Sequence, residues 1–356
     1  MLFLATILLA QAGDPADAIN FGGRLQMDFQ FSSDANGDST QQEIRRARFF
    51  AAGDLGEVFW KTQFDLAGGD ADLKDAYVGI AVGLGKLKIG HFKEPFGLEE
   101  LTSSKYDNFI EQALGTSLSA ASRNTGVMLS GGLGDSGATF AVGSFYEVDG
   151  FSGGNEGSAF TGRVTSTPIH SKGAESVLHL GLAYSLRSHE SGISSNFAPE
   201  AHLFQDLAEY SSSGDASTDL GLEIAWVQGP LSLQAETMCK KISGDAVNGN
   251  LRLTGSYAQA SYFLDGVTRR AYKKSSGVFG RVKPASGSAW EAKARLSTLD
   301  LSEAAVSGGL ADELETLSFG VNHYINDHSG VMLDVVKADD GTTESKIILL
   351  RFAINF

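Results

Sequence analysis

The feature that most constrains this chain is a two-residue alternation of apolar and strongly polar side chains. Between residues 19 and 31 the odd-numbered positions are mostly apolar, and the even-numbered ones carry arginine, glutamine and aspartate. The apolar positions are Ile19, Phe21, Leu25, Met27, Phe29 and Phe31. Residues 178–187, 220–228, 231–238 and 289–297 repeat the pattern. A period of two predicts strands with one apolar and one polar face.

About sixteen strand candidates follow one another, each about nine to eleven residues long, which is the length a tilted strand needs to cross a bilayer. Turns rich in glycine, asparagine and aspartate separate them, and 43 of the 356 residues are glycine. Helical candidates are limited to residues 197–209 and 301–317, and no strand–helix–strand spacing is present. The sequence therefore predicts an all-β protein.

Two architectures produce this alternation. A soluble β-sandwich buries the apolar faces, whereas a transmembrane barrel turns them to lipid and lines its lumen with the polar ones. The many charged and amide side chains on the polar faces favour the barrel. The last segment, residues 346–356, alternates until the chain ends on Phe356. It resembles the insertion signal of bacterial outer-membrane proteins; the alternative is an ordinary edge strand. We predict a transmembrane antiparallel β-barrel of about sixteen strands.

Composition excludes several other classes. A single Cys rules out a disulfide framework or a Cys-rich zinc module. A formal net charge of −15 argues against a nucleic-acid binder. The mean hydropathy of −0.07 is too polar for a helical membrane protein. Since no spacing of His, Ser and acidic residues singles out a catalytic site, we predict no enzyme activity, no metal and no cofactor.

The first twelve residues resemble a secretory signal. An apolar run over residues 1–10 precedes the small-x-small site Ala10-Gln11-Ala12, although no Lys or Arg stands before the run. Ten residues are too few for a membrane-spanning helix, which needs about 20. A buried strand or an anchor is the alternative. We expect a signal peptide over residues 1–12, export, and a single barrel domain over residues 19–356.

Several stretches resemble the phosphate-selective porin O and P family of bacterial outer membranes. The longest is K-I-G-H-F-K-E-P-F-G-L-E-E-L-T-S-S-K from Lys88. Others are E-I-R-R-A-R-F from Glu43, K-T-Q-F-D-L-A-G-G from Lys61 and L-K-D-A-Y-V from Leu73, with later ones starting at Leu178, Ala260 and Gly277. The resemblance covers essentially the whole mature chain.

This resemblance implies a sixteen-stranded barrel in the outer membrane, surrounded by lipid and lipopolysaccharide and assembled as a homotrimer. It also implies a third external loop, here about residues 94–123, that folds into the pore and narrows it. Family members pass phosphate or polyphosphate past basic side chains on the lumen wall and a lysine on that loop. Inorganic phosphate or other small anions are therefore the expected solutes, and diffusion the expected mechanism.

Basic side chains on the predicted lumen faces are the candidates for anion binding, because such pores select anions with arginine and lysine along the path. Those on the strands are Arg24, Arg46, Arg48, Lys61, Lys293 and Arg295. Those on the constricting loop are Lys93, Lys105 and Arg123, and the resemblance makes Lys105 the best candidate for the central site. Each could instead form a salt bridge, for example with Asp65, Asp75, Glu94, Glu99 or Glu100.

Acidic residues on the same faces leave ion selectivity open. The predicted lumen faces carry Asp28, Asp65, Asp75, Glu223, Glu236 and Glu291, which are as numerous as the bases on those faces. A general or weakly cation-preferring porin on the same fold is therefore the first alternative to an anion channel. An outer-membrane barrel adhesin or enzyme is the alternative from a different class.

Overall fold

A computed structural model describes residues 19–35, 37–134, 137–147, 157–304 and 310–356. It contains a closed antiparallel barrel of sixteen strands, as the alternation predicted. The barrel strands are β1 (Asn20–Asp34), β2 (Gly37–Leu55), β3 (Val58–Asp65), β4 (Asp72–Val82), β5 (Gly85–Lys93), β6 (Arg123–Gly132), β7 (Thr139–Glu147), β8 (Gly157–His170), β9 (Ser176–His189), β12 (Ala216–Gln228), β13 (Leu231–Asp245), β14 (Gly249–Phe263), β17 (Ala289–Asp300), β18 (Glu313–Tyr324), β19 (Ser329–Asp339) and β20 (Glu344–Asn355). The predicted signal peptide, residues 1–12, lies outside the described residues.

The first and last strands close the barrel, and both show the predicted alternation. β1 pairs with β20 from Arg24 opposite Asn355 to Ser33 opposite Lys346. Along β1, Arg24, Gln26 and Asp28 are buried inside, whereas the apolar side chains between them face outward. Along β20 the outward side chains are again apolar over most of its length. Sequential antiparallel pairing with closure satisfies the backbone of every barrel strand, as a bilayer requires.

Four short strands and two short helices among the described residues are not part of the barrel wall. They are β10 (Ile193–Phe197), β11 (Ala208–Ser212), β15 (Tyr272–Lys273), β16 (Val278–Phe279), α1 (Leu98–Leu101) and α2 (Leu114–Ser119). The helices suggested for residues 197–209 and 301–317 are wrong. Residues 197–209 turn between the paired strands β10 and β11. In the second range, residues 313–317 belong to β18, and residues 305–309 lie outside the described residues.

Among the described residues, no helix is long and apolar enough to cross a membrane.

The two rims of the barrel differ in the length of their connections. The rim at which β1 begins and β20 ends has mostly short turns, such as residues 229–230 between β12 and β13. The opposite rim carries residues 94–122 between β5 and β6 and residues 190–215 between β9 and β12. Short periplasmic turns and longer extracellular loops are typical of outer-membrane barrels, so the second rim is extracellular. One periplasmic connection is an exception: residues 264–288 between β14 and β17 form a long segment that includes β15 and β16.

The largest apolar cluster of the protein lies inside the barrel, on one side of the lumen. Residues of α2 and of the β10–β11 hairpin pack against the inner faces of β13, β14 and β17–β20. We call the inner faces of β12–β14 and β17–β20, with what covers them, the packed half. The inner faces of β1–β8 form the open half. The cluster fills one half of the lumen with apolar side chains and leaves space along the other half.

Candidate functional site

The constricting loop, residues 94–122, is held in the lumen by carboxylates of the packed half. It begins after Lys93 and ends before Arg123, close to the predicted bounds. The Glu236 carboxylate accepts the backbone N–H groups of Leu98 and Glu99, both at 2.7 Å. Asp334 accepts the backbone N–H of Ile110 at 2.8 Å. These acids replace the partners that the loop backbone loses on leaving water, as burial of polar groups requires.

Two of the predicted anion-binding cations also lie beneath this loop. The Arg295 guanidinium is 2.6 Å from the Glu200 carboxylate and 3.2 Å from that of Glu99. The Lys293 ammonium is 2.5 Å from Asp334 and donates to the Asn108 carbonyl at 2.7 Å. Both side chains point inward as predicted, but both are buried. A role in contacting solute does not fit their position, because protein occupies the space in front of them.

The open half encloses a cavity of about 760 Å³ with a strongly basic lining. Its cations are Arg24, Arg48, Lys61, Lys86, Lys88, Lys93, Arg123 and Arg163. Asp75 is the only carboxylate that the described residues contribute to this lining. Five of the cations, Arg24, Arg48, Lys61, Lys93 and Arg123, were among the sequence candidates, and the structure brings them together around one space.

Some of these cations form the salt bridges that were the alternative to solute binding. Arg48 lies 2.6 Å from Asp65, and Lys93 lies 2.9 Å from Glu100. Asp75 contacts Lys61 at 2.5 Å and Arg123 at 2.7 Å, so one carboxylate serves two cations. Arg163 forms a fifth ion pair, with Glu223. Eight cations against these four carboxylates leave the cavity with a surplus of positive charge.

The remaining cations meet uncharged groups in the described part of the chain. The Arg24 guanidinium donates to the Ser104 hydroxyl on the constricting loop. Arg46, just outside the lining, donates to Gln26 at 3.0 Å. Lys88 lies over the rings of Tyr77 and Phe92 at 4.5 and 4.6 Å, and Lys86 over that of Phe59 at 5.1 Å. The sequence search omitted Lys86 and Lys88, although they alternate with the apolar Leu87 and Ile89.

Lys105 stands at the inner edge of the loop among other cations. Its ammonium lies 5.7 Å from the centroids of the Phe50 and Tyr106 rings, and it forms no ion pair with a described residue. Burial, reinforced by the positive charges of Arg24, Arg281, Lys61 and Lys273, lowers the pKa of Lys105 to about 8. The neighbouring loop residue Asp107 has its pKa raised to about 7, chiefly by burial and then by the charge of Glu99.

A second segment, residues 264–288, enters the lumen from the periplasmic rim and meets the loop. Arg270 bonds Glu291 of the wall and the side chain of Asn108 at 3.2 and 3.0 Å. Lys273 lies over the Tyr106 ring at 5.3 Å. Sequence reasoning missed this segment. The sequence feature that could have revealed it is a long connection with six basic residues, which are Arg269, Arg270, Lys273, Lys274, Arg281 and Lys283.

Residues 19–347 match the family described as phosphate-selective porin O and P. The chain belongs to this family. Porin O of Pseudomonas aeruginosa is 28% identical over 370 residues, covering 91% of this chain and 84% of that protein. An uncharacterised protein of Caulobacter vibrioides is 27% identical and covers 81% of this chain and 63% of its own length.

Solved porin structures share the fold at low sequence identity. An anion-selective porin from Comamonas acidovorans has a TM-score of 0.62 at 11% identity, covering 96% of this chain and 100% of that one. OprB of Pseudomonas putida has a TM-score of 0.64 at 12% identity, and the match covers 99% of this chain and 96% of that one. A trimer form of OmpT from Vibrio cholerae has a TM-score of 0.58 at 13% identity, and the match covers 95% of this chain and 99% of that one.

Membership of the porin O and P family confirms the predicted function class. The protein is a bacterial outer-membrane porin for anions, a channel rather than an enzyme. The sixteen-stranded barrel and the loop inside it agree with that assignment.

Proposed function

We propose that this porin passes inorganic phosphate and other small anions by diffusion through the open half of its lumen. The observation that carries the proposal is the surplus of positive charge around the cavity there, where the eight lining cations meet four carboxylates among the described residues, in a chain whose net charge is −15. A pore selects by the charges along its path, and the net charge of the chain does not determine them.

The positions of the other lumen acids also keep negative charge away from the proposed path. Glu236 and Asp334 bond loop backbone, Glu291 binds Arg270, and Asp28 binds Arg351 at 2.6 Å. Glu236, Asp334 and Glu291 belong to the packed half, and Asp28 of β1 is paired with Arg351 of β20, so a solute in the open half meets few of these acids. The first alternative, a general or weakly cation-preferring porin, would need a comparable acidic lining, and the described residues of the open half do not form one.

The proposed path is formed by Arg24, Arg48, Lys61, Lys93, Lys105 and Arg123, together with Lys86 and Lys88. Arginine suits phosphate because its planar fork donates to two oxygens at once. Lys105 projects from the loop toward Arg24 and Lys61 on the wall, so we place the central site between these three side chains. Arg46 stands behind them, and Lys293 and Arg295 are left out because they are buried under the loop.

Three further expectations belong to this proposal. We expect a homotrimer, supported by the family resemblance and by the trimer form of the similar OmpT structure. We expect the barrel surface to contact outer-membrane lipid and lipopolysaccharide. We also expect residues 1–12 to be removed on export, with residues 19–356 forming one barrel domain.

Reconstitution in a planar bilayer under a salt gradient tests the proposal. The reversal potential should have the anion-selective sign, and added phosphate should reduce chloride current by competing for the same cations. A reversal potential of cation-selective sign would exclude an anion channel. Anion selectivity without phosphate competition would leave a general anion porin and remove the phosphate assignment.

A further inference from the structure

Two consecutive lysines near the extracellular end of β13 point in opposite directions. Lys240 faces inward and lies 2.9 Å from Asp219, which neutralises it. Lys241 faces outward and is exposed. Arg252 of β14 stands directly opposite Lys241 in the strand register and is exposed on the same outer surface. Residues paired in this way lie about 5 Å apart at their Cα atoms, so two positive charges are held close together.

Neither outward cation forms an ion pair with a carboxylate in the described part of the chain. Glu303 accepts the backbone N–H of Arg252, at 2.6 Å, and forms no ion pair with its guanidinium. Thr218 of β12 pairs with Lys241 from the other side, so the row across three strands consists of hydrogen-bond donors. Like charges directly opposite each other destabilise a sheet. An anion bound between them would remove that repulsion.

The surface below this row indicates what kind of anion it takes. On the same outer face of β12, the next positions toward the periplasm are Leu220, Leu222 and Ile224, all exposed. A small free anion would use the cations alone. A ligand with a phosphate group joined to acyl chains would use both the cations and the apolar surface, because hydrocarbon gains from covering apolar side chains.

We propose that Lys241, Arg252 and Thr218 bind a phosphate group of lipopolysaccharide, with its acyl chains lying along the outward leucines and isoleucine. The row stands at the extracellular rim, and the outward leaflet of this membrane is built of lipopolysaccharide. Guanidinium and ammonium groups bind phosphate through charge-assisted hydrogen bonds. The proposal rests on the outer-membrane location of the barrel and does not depend on which ion the lumen prefers.

A second outward cation pair supplies a matched control. Lys337 of β19 stands opposite Lys346 of β20 on the outer face. There Lys337 already lies 2.6 Å from Glu344, which supplies a counter-charge from the protein itself. Removing this pair changes the net charge as much as removing Lys241 and Arg252 does, but it should release little lipid.

The test measures lipopolysaccharide binding to the detergent-purified full chain, by titration and by native mass spectrometry. The Lys241→Ala/Arg252→Ala variant should bind about tenfold more weakly than the wild type. The Lys337→Ala/Lys346→Ala variant should stay within about twofold of the wild type. The wild-type protein should bind dephosphorylated lipopolysaccharide about tenfold more weakly than the phosphorylated form. The affinity of the Lys241→Ala/Arg252→Ala variant should be the same for both forms.

Unchanged binding by the first variant, or equal loss in both variants, would overturn the site. Phosphatidylglycerol binding with the same affinity and the same sensitivity to Lys241 and Arg252 would overturn the choice of lipopolysaccharide. Competition by inorganic phosphate alone at equal concentration would show a simple anion site. Single-channel conductance of both variants should match the wild type, which verifies folding and separates this result from lumen selectivity.

Discussion

The packed half and the open half of the lumen wall both contain arginines, lysines and acids, but they differ in what each charge faces. In the packed half, Arg295 lies between Glu99 and Glu200, and Glu236 bonds loop backbone. In the open half, Asp75 pairs with two cations, and Arg24 donates to a serine hydroxyl. One half therefore uses charge to fix a loop in place. The other half leaves positive charge facing a cavity, where an anion can bind to it.

The largest expected effect is on stability, when removal of one cation from the packed half is compared with removal of one from the open half. Arg295→Gln leaves two buried carboxylates without their counter-charge, which costs about 3–5 kcal/mol. Lys61→Gln should cost at most about 1 kcal/mol, since Asp75 keeps Arg123 and water reaches the pair. Urea unfolding of the barrel in lipid vesicles measures both. Equal destabilisation by the two variants would mean that the halves do not differ as described.

Sequence alternation predicted the wall well because lipid outside and polar groups inside impose a period of two on every strand. It placed Arg24, Lys61, Lys293 and Arg295 on the inner face correctly. Facing inward, however, does not determine whether a side chain meets water. The loop covers Lys293 and leaves Lys61 beside the cavity, and these contacts join residues far apart in the chain.

Alternation also predicts the direction of a side chain wrongly where a strand contains a bulge. A bulge in β2 places Arg46 opposite Gln26 and Ile44 opposite Met27, so Arg45 is the extra residue. Arg45 then reaches Glu111 of the loop at 2.9 Å, whereas Ile44 is exposed outside. Alternation counted from Arg48 would have put Ile44 inside. Bulges depend on pairing with the neighbouring strand, which a single strand's pattern does not contain.

The second prediction reverses one charge in the open half. Lys105→Glu changes the charge beside the path by two units, worth about 1.7 kcal/mol for an ion about 5 Å away in water. Counting only the attraction lost by the anion, the anion-to-cation permeability ratio should therefore fall by roughly fifteenfold. Reversal potentials in planar bilayers measure it, with Lys105→Arg as the charge-preserving variant and Lys337→Glu as the same change on the outer surface. An unchanged ratio would remove Lys105 from the path.

The third prediction removes the same charge by pH alone. The pKa of Lys105 is lowered to about 8, so the ammonium is charged below that pH and neutral above it. Raising the pH from about 7.5 to about 9.5 should lower the anion-to-cation ratio by up to about fourfold, as one unit charge at about 5 Å is worth about 0.8 kcal/mol. Lys105→Arg should remove the part of this dependence that comes from position 105, because arginine stays charged throughout. A dependence that persists in that variant would come from another group.

The smallest expected effect comes from the acid on the loop itself. The pKa of Asp107 is raised to about 7, so it is mostly neutral at about pH 5.5 and mostly charged at about pH 8. Asp107→Asn should raise the anion-to-cation ratio about twofold at pH 8, the effect of one charge about 10 Å away in water. It should change nothing at pH 5.5, where the wild-type carboxyl already carries its proton. Asp70→Asn, an equal change in the exposed β3–β4 turn, should have no effect at either pH. A gain at both pH values would mean that Asp107 stays ionised and that the cations around it outweigh the burial of its carboxyl group.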